Sequence, residues 1–206
     1  MNQDNRSTDH YFVSAPKSEA KFGLVRTTLC GKSFEFLTAS SVFSKRRVDP
    51  GTRLLIESMV LPKTGYVLDI GCGYGAVGIV ATSLNPKLNV VMTDVNMRAV
   101  RLARKNVELN KVANAEVRYG YLYEPVEGLV FSCVLSNPPV SAGMETVKAM
   151  VKEAPKVMAD KGTFQMVIRS KIGAKTLPSV FNETFGNCTV LARESGYRVL
   201  MGQLAV

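Results

Sequence analysis

Hydrophobic and polar positions change their period once along the chain. From about Phe12 to Phe43 they alternate, and the stretch 22–38 holds two β-rich runs around Cys30-Gly31, which predicts a hairpin. From Asp49 the spacing becomes that of helices alternating with strands. Asp49-Pro50 predicts an N-cap followed by proline at the first helical position; Leu54, Leu55 and Met59 form an apolar stripe, and Pro62 and Gly65 stop the helix. Strands are predicted over 66–70, 88–93, 115–119, 129–135 and 162–168. Helices are predicted over 75–84, 97–109, 144–159 with a kink at Pro155, and 174–185. On the helix 97–109, Val100, Ala103 and Val107 share one side. The last two strands, 189–193 and 197–204, are separated only by Glu194-Ser195-Gly196, too short a link for a crossover helix, so they must be antiparallel neighbours. The expected fold is therefore α/β: a doubly wound, mostly parallel sheet of seven strands with a C-terminal antiparallel hairpin, preceded by a β-hairpin extension. The extension is expected over 1–48 and the main domain over 49–206.

Composition narrows the class. The chain has 206 residues, 46% hydrophobic and 21% charged, enough for one sizeable core and a small appendage. No apolar run is long enough to cross a bilayer, and the first ten residues are polar without a signal-peptide apolar region, so a soluble, cytoplasmic protein without a membrane partner is expected. Cys30, Cys72, Cys133 and Cys188 lie far apart, which favours buried reduced thiols over a disulfide framework or a thiolate zinc site. His10 is the single histidine, so no metal is expected, and a Ser-His or Cys-His nucleophile is disfavoured. A net charge of +9 favours a polyanionic partner such as RNA without requiring one.

The chemistry concentrates at two turns. In Val67-Leu-Asp-Ile-Gly-Cys-Gly-Tyr-Gly-Ala-Val-Gly78 a strand runs into a glycine-dense turn that opens a helix. Gly71, Gly73 and Gly75 let backbone approach a ligand closely, and the helix N-terminus supplies unpaired N–H donors. The spacing from Gly73 through Gly75 to Gly78 also fits a dinucleotide site, with Asp94 where a ribose-binding acid is expected. Asp69, two residues before the first glycine, would repel a pyrophosphate and suits an ammonium group, by direct contact or through water. S-adenosylmethionine, which carries an ammonium and a sulfonium but no phosphate, is the cofactor this favours. The second turn is Ser136-Asn137-Pro138-Pro139-Val140, closing the fourth strand and expected at the same crevice. An aromatic amine is a poor nucleophile. Two acceptors, the Asn137 side-chain carbonyl and the Pro138 backbone carbonyl, would grip both its hydrogens, and the prolines fix φ and remove competing donors.

With both turns located, the chain resembles the small-domain methyltransferases of the Asn-Pro-Pro amino-methyltransferase superfamily, and within it the ribosomal RNA guanine-N2 methyltransferases. The resemblance runs from His10-Tyr11 through Gly31 to Phe36, Val42-Phe43-Ser44-Lys45, Gly51 to Leu55, the glycine loop, Leu122-Tyr123-Glu124 and Asn137 to Val140, to Gly196-Tyr197-Arg198-Val199. It implies a Rossmann-like methyltransferase fold. It also implies that Asp69, Gly71, Gly73 and Gly75 hold the amino-acid end of S-adenosylmethionine, that Asp94 holds its ribose, and that Asn137 and Pro138 hold the target amine. Phe43 and Ser44 match a segment expected to fold over the cofactor.

Two positions depart from the pattern. Gly120-Tyr121-Leu122 replaces the acidic residue that many relatives place after the third strand, which leaves adenine to a backbone group or to Tyr121. Val140 replaces an aromatic residue on which a base would stack. Two basic clusters, Lys45-Arg46-Arg47 and Arg98, Arg101, Arg104 with Lys105, are candidates for phosphate contact, the second also fitting a plain solvated helix face. The expected partner is RNA, ribosomal RNA foremost, and the expected assembly a monomer or small homo-oligomer. A methyltransferase of a protein glutamine or small amine, and a nucleotide-binding oxidoreductase or non-catalytic module, stand as alternatives.

Overall fold

The computed structural model describes residues 21–40, 42, 47–138, 143–173 and 176–205. The predicted hairpin is present as β1 (Phe22–Leu29) and β2 (Lys32–Ala39), turned by Cys30 and Gly31 with φ of 48° and 75°. Two successive positive φ values match the twist of the flanking strands, and glycine takes the second without penalty. Val25, Leu29, Phe34 and Phe36 point into the same core as the main sheet.

Helix α1 (Pro50–Ser58) starts where predicted: Asp49 Oδ2 accepts the Gly51 and Thr52 N–H groups at 2.9 and 3.2 Å. It ends at Met59, before either predicted stop residue. Then follow β3 (Gly65–Ile70), α2 (Ala76–Leu84), β4 (Leu88–Asp94), α3 (Met97–Leu109), β5 (Ala115–Tyr119) and β6 (Phe131–Ser136). The chain closes with α4 (Met144–Glu153), β7 (Met158–Arg169), α5 (Ser170–Gly173), α6 (Thr176–Phe185), β8 (Thr189–Glu194) and β9 (Tyr197–Gln203). The seven main strands order as β5-β4-β3-β6-β7-β9-β8, and only β9 runs against the others.

Three readings need correction. The helix expected over 144–159 does not kink at Pro155 but ends there: α4 stops at Glu153, a 3-10 turn covers Ala154–Val157, and β7 begins at Met158. Proline has no N–H to carry the helical ladder forward, and the chain leaves for the sheet instead. The helix expected over 174–185 is present as α6 from Thr176, but the short α5 ahead of it, directly after β7, was not predicted. Finally, only Cys72 and Cys133 are buried thiols; Cys188 is half-buried and Cys30 is exposed on the hairpin turn. Burial pushes the Cys133 thiol up to about 12, so it stays protonated and inert.

One clamp was not foreseen. From α3, Asn106 accepts the Leu37 N–H at 2.7 Å and donates to the Leu37 carbonyl at 3.0 Å. One turn on, Asn110 does the same for Glu35, at 3.1 and 2.7 Å. The two amides occupy the open edge of β2 as a partner strand would. Arg53 straps the other side of the hairpin, donating to the Thr28 carbonyl at 3.1 Å and Thr27 Oγ1 at 2.8 Å.

Candidate active site

Strand order reverses at β3, which pairs with β4 on one side and β6 on the other. Beyond the carboxyl ends of such a pair, the two connections diverge to opposite faces and leave a crevice. Ser136 Oγ donates to the Ile70 carbonyl at 3.0 Å, tying the last residue of β6 to the last of β3. The glycine turn and Asn137-Pro138 therefore leave the sheet side by side.

The glycine turn is held from β4. Gly71 N–H and Cys72 N–H both donate to the Thr93 carbonyl at 2.9 Å, and Gly73 N–H donates to Asp94 Oδ2 at 2.8 Å. Gly71, Gly73 and Gly75 have φ of 72°, 59° and 91°, a path that side chains with a Cβ rarely follow. Gly78 serves packing: a Cβ there would lie 2.5 Å from Met92 of β4. The second oxygen of Asp94, Oδ1, accepts the Asn96 N–H at 2.8 Å. Tyr74 is buried against Phe36 of the hairpin, ring centroids 5.5 Å apart, and its carbonyl accepts Asn106 Nδ2 at 2.8 Å. The hairpin thus braces the turn from behind, and burial raises the Tyr74 hydroxyl above its ordinary range.

Asp69 does not sit in the crevice wall. It is 1% exposed, beneath the turn, where Oδ2 accepts the Gly78 N–H at 2.9 Å. Burial pushes its carboxyl up from 3.8 to about 7, with the Asp94 charge adding and the Gly78 bond opposing. The folded protein therefore holds this proton more tightly than the unfolded chain. The resulting stability is fully present below about pH 4 and is lost as pH rises through about 7. Asp69→Asn keeps an acceptor for Gly78 and cannot ionise, so its melting temperature is expected to gain on the parent's between pH 5 and 8, read by calorimetry. Parallel curves would refute the shift.

A narrow cleft opens between these elements, lined by Gly71, Asp94, Gly120, Tyr121, Leu122 and Met150, among others. Tyr121 is 45% exposed at its rim. Gly120 N–H donates to the Asp94 carbonyl at 3.2 Å, and a Cβ on Gly120 would lie 2.6 Å from Pro125.

On the β6 side, Asn137 is half-buried, Pro138 is buried, and Asn137 Nδ2 donates to Thr52 Oγ1 at 2.7 Å. Pro139, Val140, Phe43, Ser44, Lys45 and Arg46 lie outside the described residues. Of the second basic cluster, Arg98 donates to the Ser40 carbonyl at 3.1 Å and Arg104 to the Val117 carbonyl at 2.9 Å, so these two brace the fold. Sequence reasoning missed Ser136 and Thr52; the one signal was their place beside the Asn-Pro turn and the N-cap. Among the described residues no His, Cys, Asp or Glu cluster could hold a metal, and no helix is long and apolar enough to cross a membrane.

The sheet with its single reversed strand, and the glycine turn at its switch point, define a Rossmann-like methyltransferase fold. The family described as "Methyltransferase small domain" matches residues 33–201, and the chain belongs to that family of methyltransferases. The chain is 33% identical over 195 residues to the uncharacterized protein YbxB of Bacillus subtilis (strain 168), covering 94% of this chain and 97% of that protein. Ribosomal RNA small subunit methyltransferase C of Cronobacter sakazakii (strain ATCC BAA-894) is 33% identical over 175 residues, 82% of this chain and 50% of that protein. The chain spans about half the length of the ribosomal RNA methyltransferases it matches. Among solved structures, a 16S rRNA N2 methyltransferase from T. Thermophilus, in complex with AdoMet and guanosine, has the same fold. Its TM-score is 0.80 at 24% identity, over 92% of this chain and 52% of that one.

Proposed function

We propose that this chain is an S-adenosylmethionine-dependent N-methyltransferase of an exocyclic amine, guanine N2 in ribosomal RNA. The observation that carries the reading is the Ser136–Ile70 bond, which sets the glycine turn and Asn137-Pro138 side by side at the carboxyl ends of β3 and β6. The names of the ribosomal RNA relatives supply the substrate class, and the guanosine bound by the T. Thermophilus enzyme the base.

The residues present fit that cofactor. Gly71, with no side chain at the cleft, leaves room for its amino-acid end, the turn through Gly73 and Gly75 carries the backbone past it, and Asp94, held by two backbone N–H groups, lines the cleft where ribose hydroxyls need acceptors. Tyr121 at the rim would cover the adenine edge. Asp69 acts from below the turn, by holding the Gly78 N–H. When bound, the cofactor supplies an electrophilic methyl on a sulfonium. Asn137 Oδ1 and the Pro138 carbonyl each accept one hydrogen of the target amine, aiming its lone pair. The amine nitrogen takes on the positive charge with the methyl and then sheds one proton to solvent, so orientation and desolvation of the reacting atoms carry the rate without a titrating base. In this division of labour, residues 1–48 are an accessory element and 49–206 the catalytic unit.

RNA would reach the site across a groove of about 310 Å³ between hairpin and α1, where Arg26, Arg47 and Arg53 line the wall. Replacing Arg26 and Arg47 together by glutamine is expected to raise the KM for RNA several-fold at about 0.1 M salt and flatten the log–log salt slope by about one to two, with kcat unchanged. Unaltered KM and slope would make the groove ordinary surface. The reading as a whole is tested by tritium transfer from labelled cofactor to unmodified small-subunit ribosomal RNA, free and assembled, followed by nucleoside mass spectrometry. Label in N2-methylguanosine supports it; label in protein from the same extract, or in no acceptor, overturns it.

A further inference from the structure

An asparagine that grips an amine must offer its carbonyl. Its NH2 end would meet another donor, and a side-chain amide can present either end unless its surroundings decide. Here they do decide. Asn137 Nδ2 has two acceptors on the first turn of α1, Thr52 Oγ1 at 2.7 Å and Asp49 Oδ2 at 3.4 Å. A hydroxyl can serve either end of an amide, so Thr52 fixes direction but not polarity. A carboxylate only accepts, so an inverted Asn137 would set Oδ1 against Asp49 Oδ2 in a buried place, with loss of a bond and repulsion between oxygens. Both partners are nearly sealed from water, Asp49 at 8% and Thr52 at 6% exposure.

We infer that Thr52 and Asp49 are positioning residues for Asn137, Thr52 fixing the direction of its amide and Asp49 its polarity, so that its carbonyl aims at the methyl acceptor; the inference rests on Asn137 being that acceptor's partner. Asp49 is itself fixed. Its Oδ2 caps α1 through Gly51 and Thr52, and the α1 start is pressed against β9, where a Cβ on Gly51 would lie 2.8 Å from the Tyr197 ring and 3.0 Å from Asp49 Oδ2. The Arg169 guanidinium covers that ring at 5.3 Å from its centroid. The N-cap of the helix and the aim of the amide are thus one device: the acceptor that starts α1 also selects the end of Asn137 that faces the crevice.

The test compares Thr52→Val, Thr52→Ser and Asp49→Asn with Asn137→Ala, using tritiated S-adenosylmethionine and unmodified small-subunit ribosomal RNA. Thr52→Val matches threonine in shape and lacks the acceptor; it is expected to lower kcat about 10- to 100-fold. The KM for RNA, the cofactor Kd and Tm should stay near the parent's values. Thr52→Ser should recover at least half the parental kcat. Asp49→Asn keeps an N-cap acceptor but admits the inverted amide, so it should lower kcat about 10-fold with little change in Tm. A role confined to helix stability would move Tm and leave kcat, and that result overturns the inference. So does Thr52→Val at parental kcat while Asn137→Ala is dead, an outcome that leaves the proposed function standing. If Asn137→Ala itself turns over normally, the placement of the amine fails first and the lock with it.

Discussion

Asn137→Ala is expected to reduce methyl transfer by at least ~100-fold while leaving cofactor affinity within about twofold. The side chain belongs to the β6 turn, whereas the cleft beneath the cofactor turn is walled by Gly71, Asp94 and Tyr121. What the alanine removes is one of the two acceptors proposed for the amine, and losing a preorganised hydrogen-bond partner at a reacting group costs about 10²–10³ in rate. The separation between binding and turnover is the informative outcome. Calorimetry with S-adenosylmethionine and single-turnover transfer on ribosomal RNA measure the two apart; retained turnover would move the amine site elsewhere.

The second large effect is expected at Asp94. Its carboxylate bridges the glycine turn, through Gly73 N–H, to the entry of α3, through Asn96 N–H. Asp94→Ala strips two backbone donors of their partner and takes the acceptors from the ribose position. Cofactor affinity should fall ~10- to 100-fold, or ~1.4–2.8 kcal/mol. Saturating cofactor should then restore most of the turnover, because the amine site on β6 is untouched. An unchanged Kd would place the ribose away from β4.

How much of this was legible beforehand follows from the range of the interactions involved. The hairpin turn at Cys30-Gly31, the N-cap at Asp49 and the helix Met97–Leu109 were all readable, since each is set by neighbours within a turn or two. The end of α4 was only half readable. Pro155 announced an interruption, but whether the chain kinks or leaves for the sheet depends on β6 being available to pair with β7, which no local period contains.

The site divides the same way. The glycine turn with Asp69, Gly71, Gly73 and Gly75, and the turn at Asn137-Pro138, were legible as candidates, because each gathers its residue types on contiguous backbone. Where Asp69 sits was not: direct contact with an ammonium and contact through water both stood open, and folding puts the carboxyl beneath the turn, bonded to Gly78. Nor could the partner of Asn137 be read, since Thr52 is 85 positions away, or the clamp of Asn106 on Leu37, 69 away. Backbone-local chemistry was determined by the order of residues alone. The aim of each side chain, the burial that raises the Asp69 carboxyl, and the adjacency of the two turns at the ends of β3 and β6 were decided only by strand order, because contacts between distant segments exist only once the sheet has chosen its neighbours.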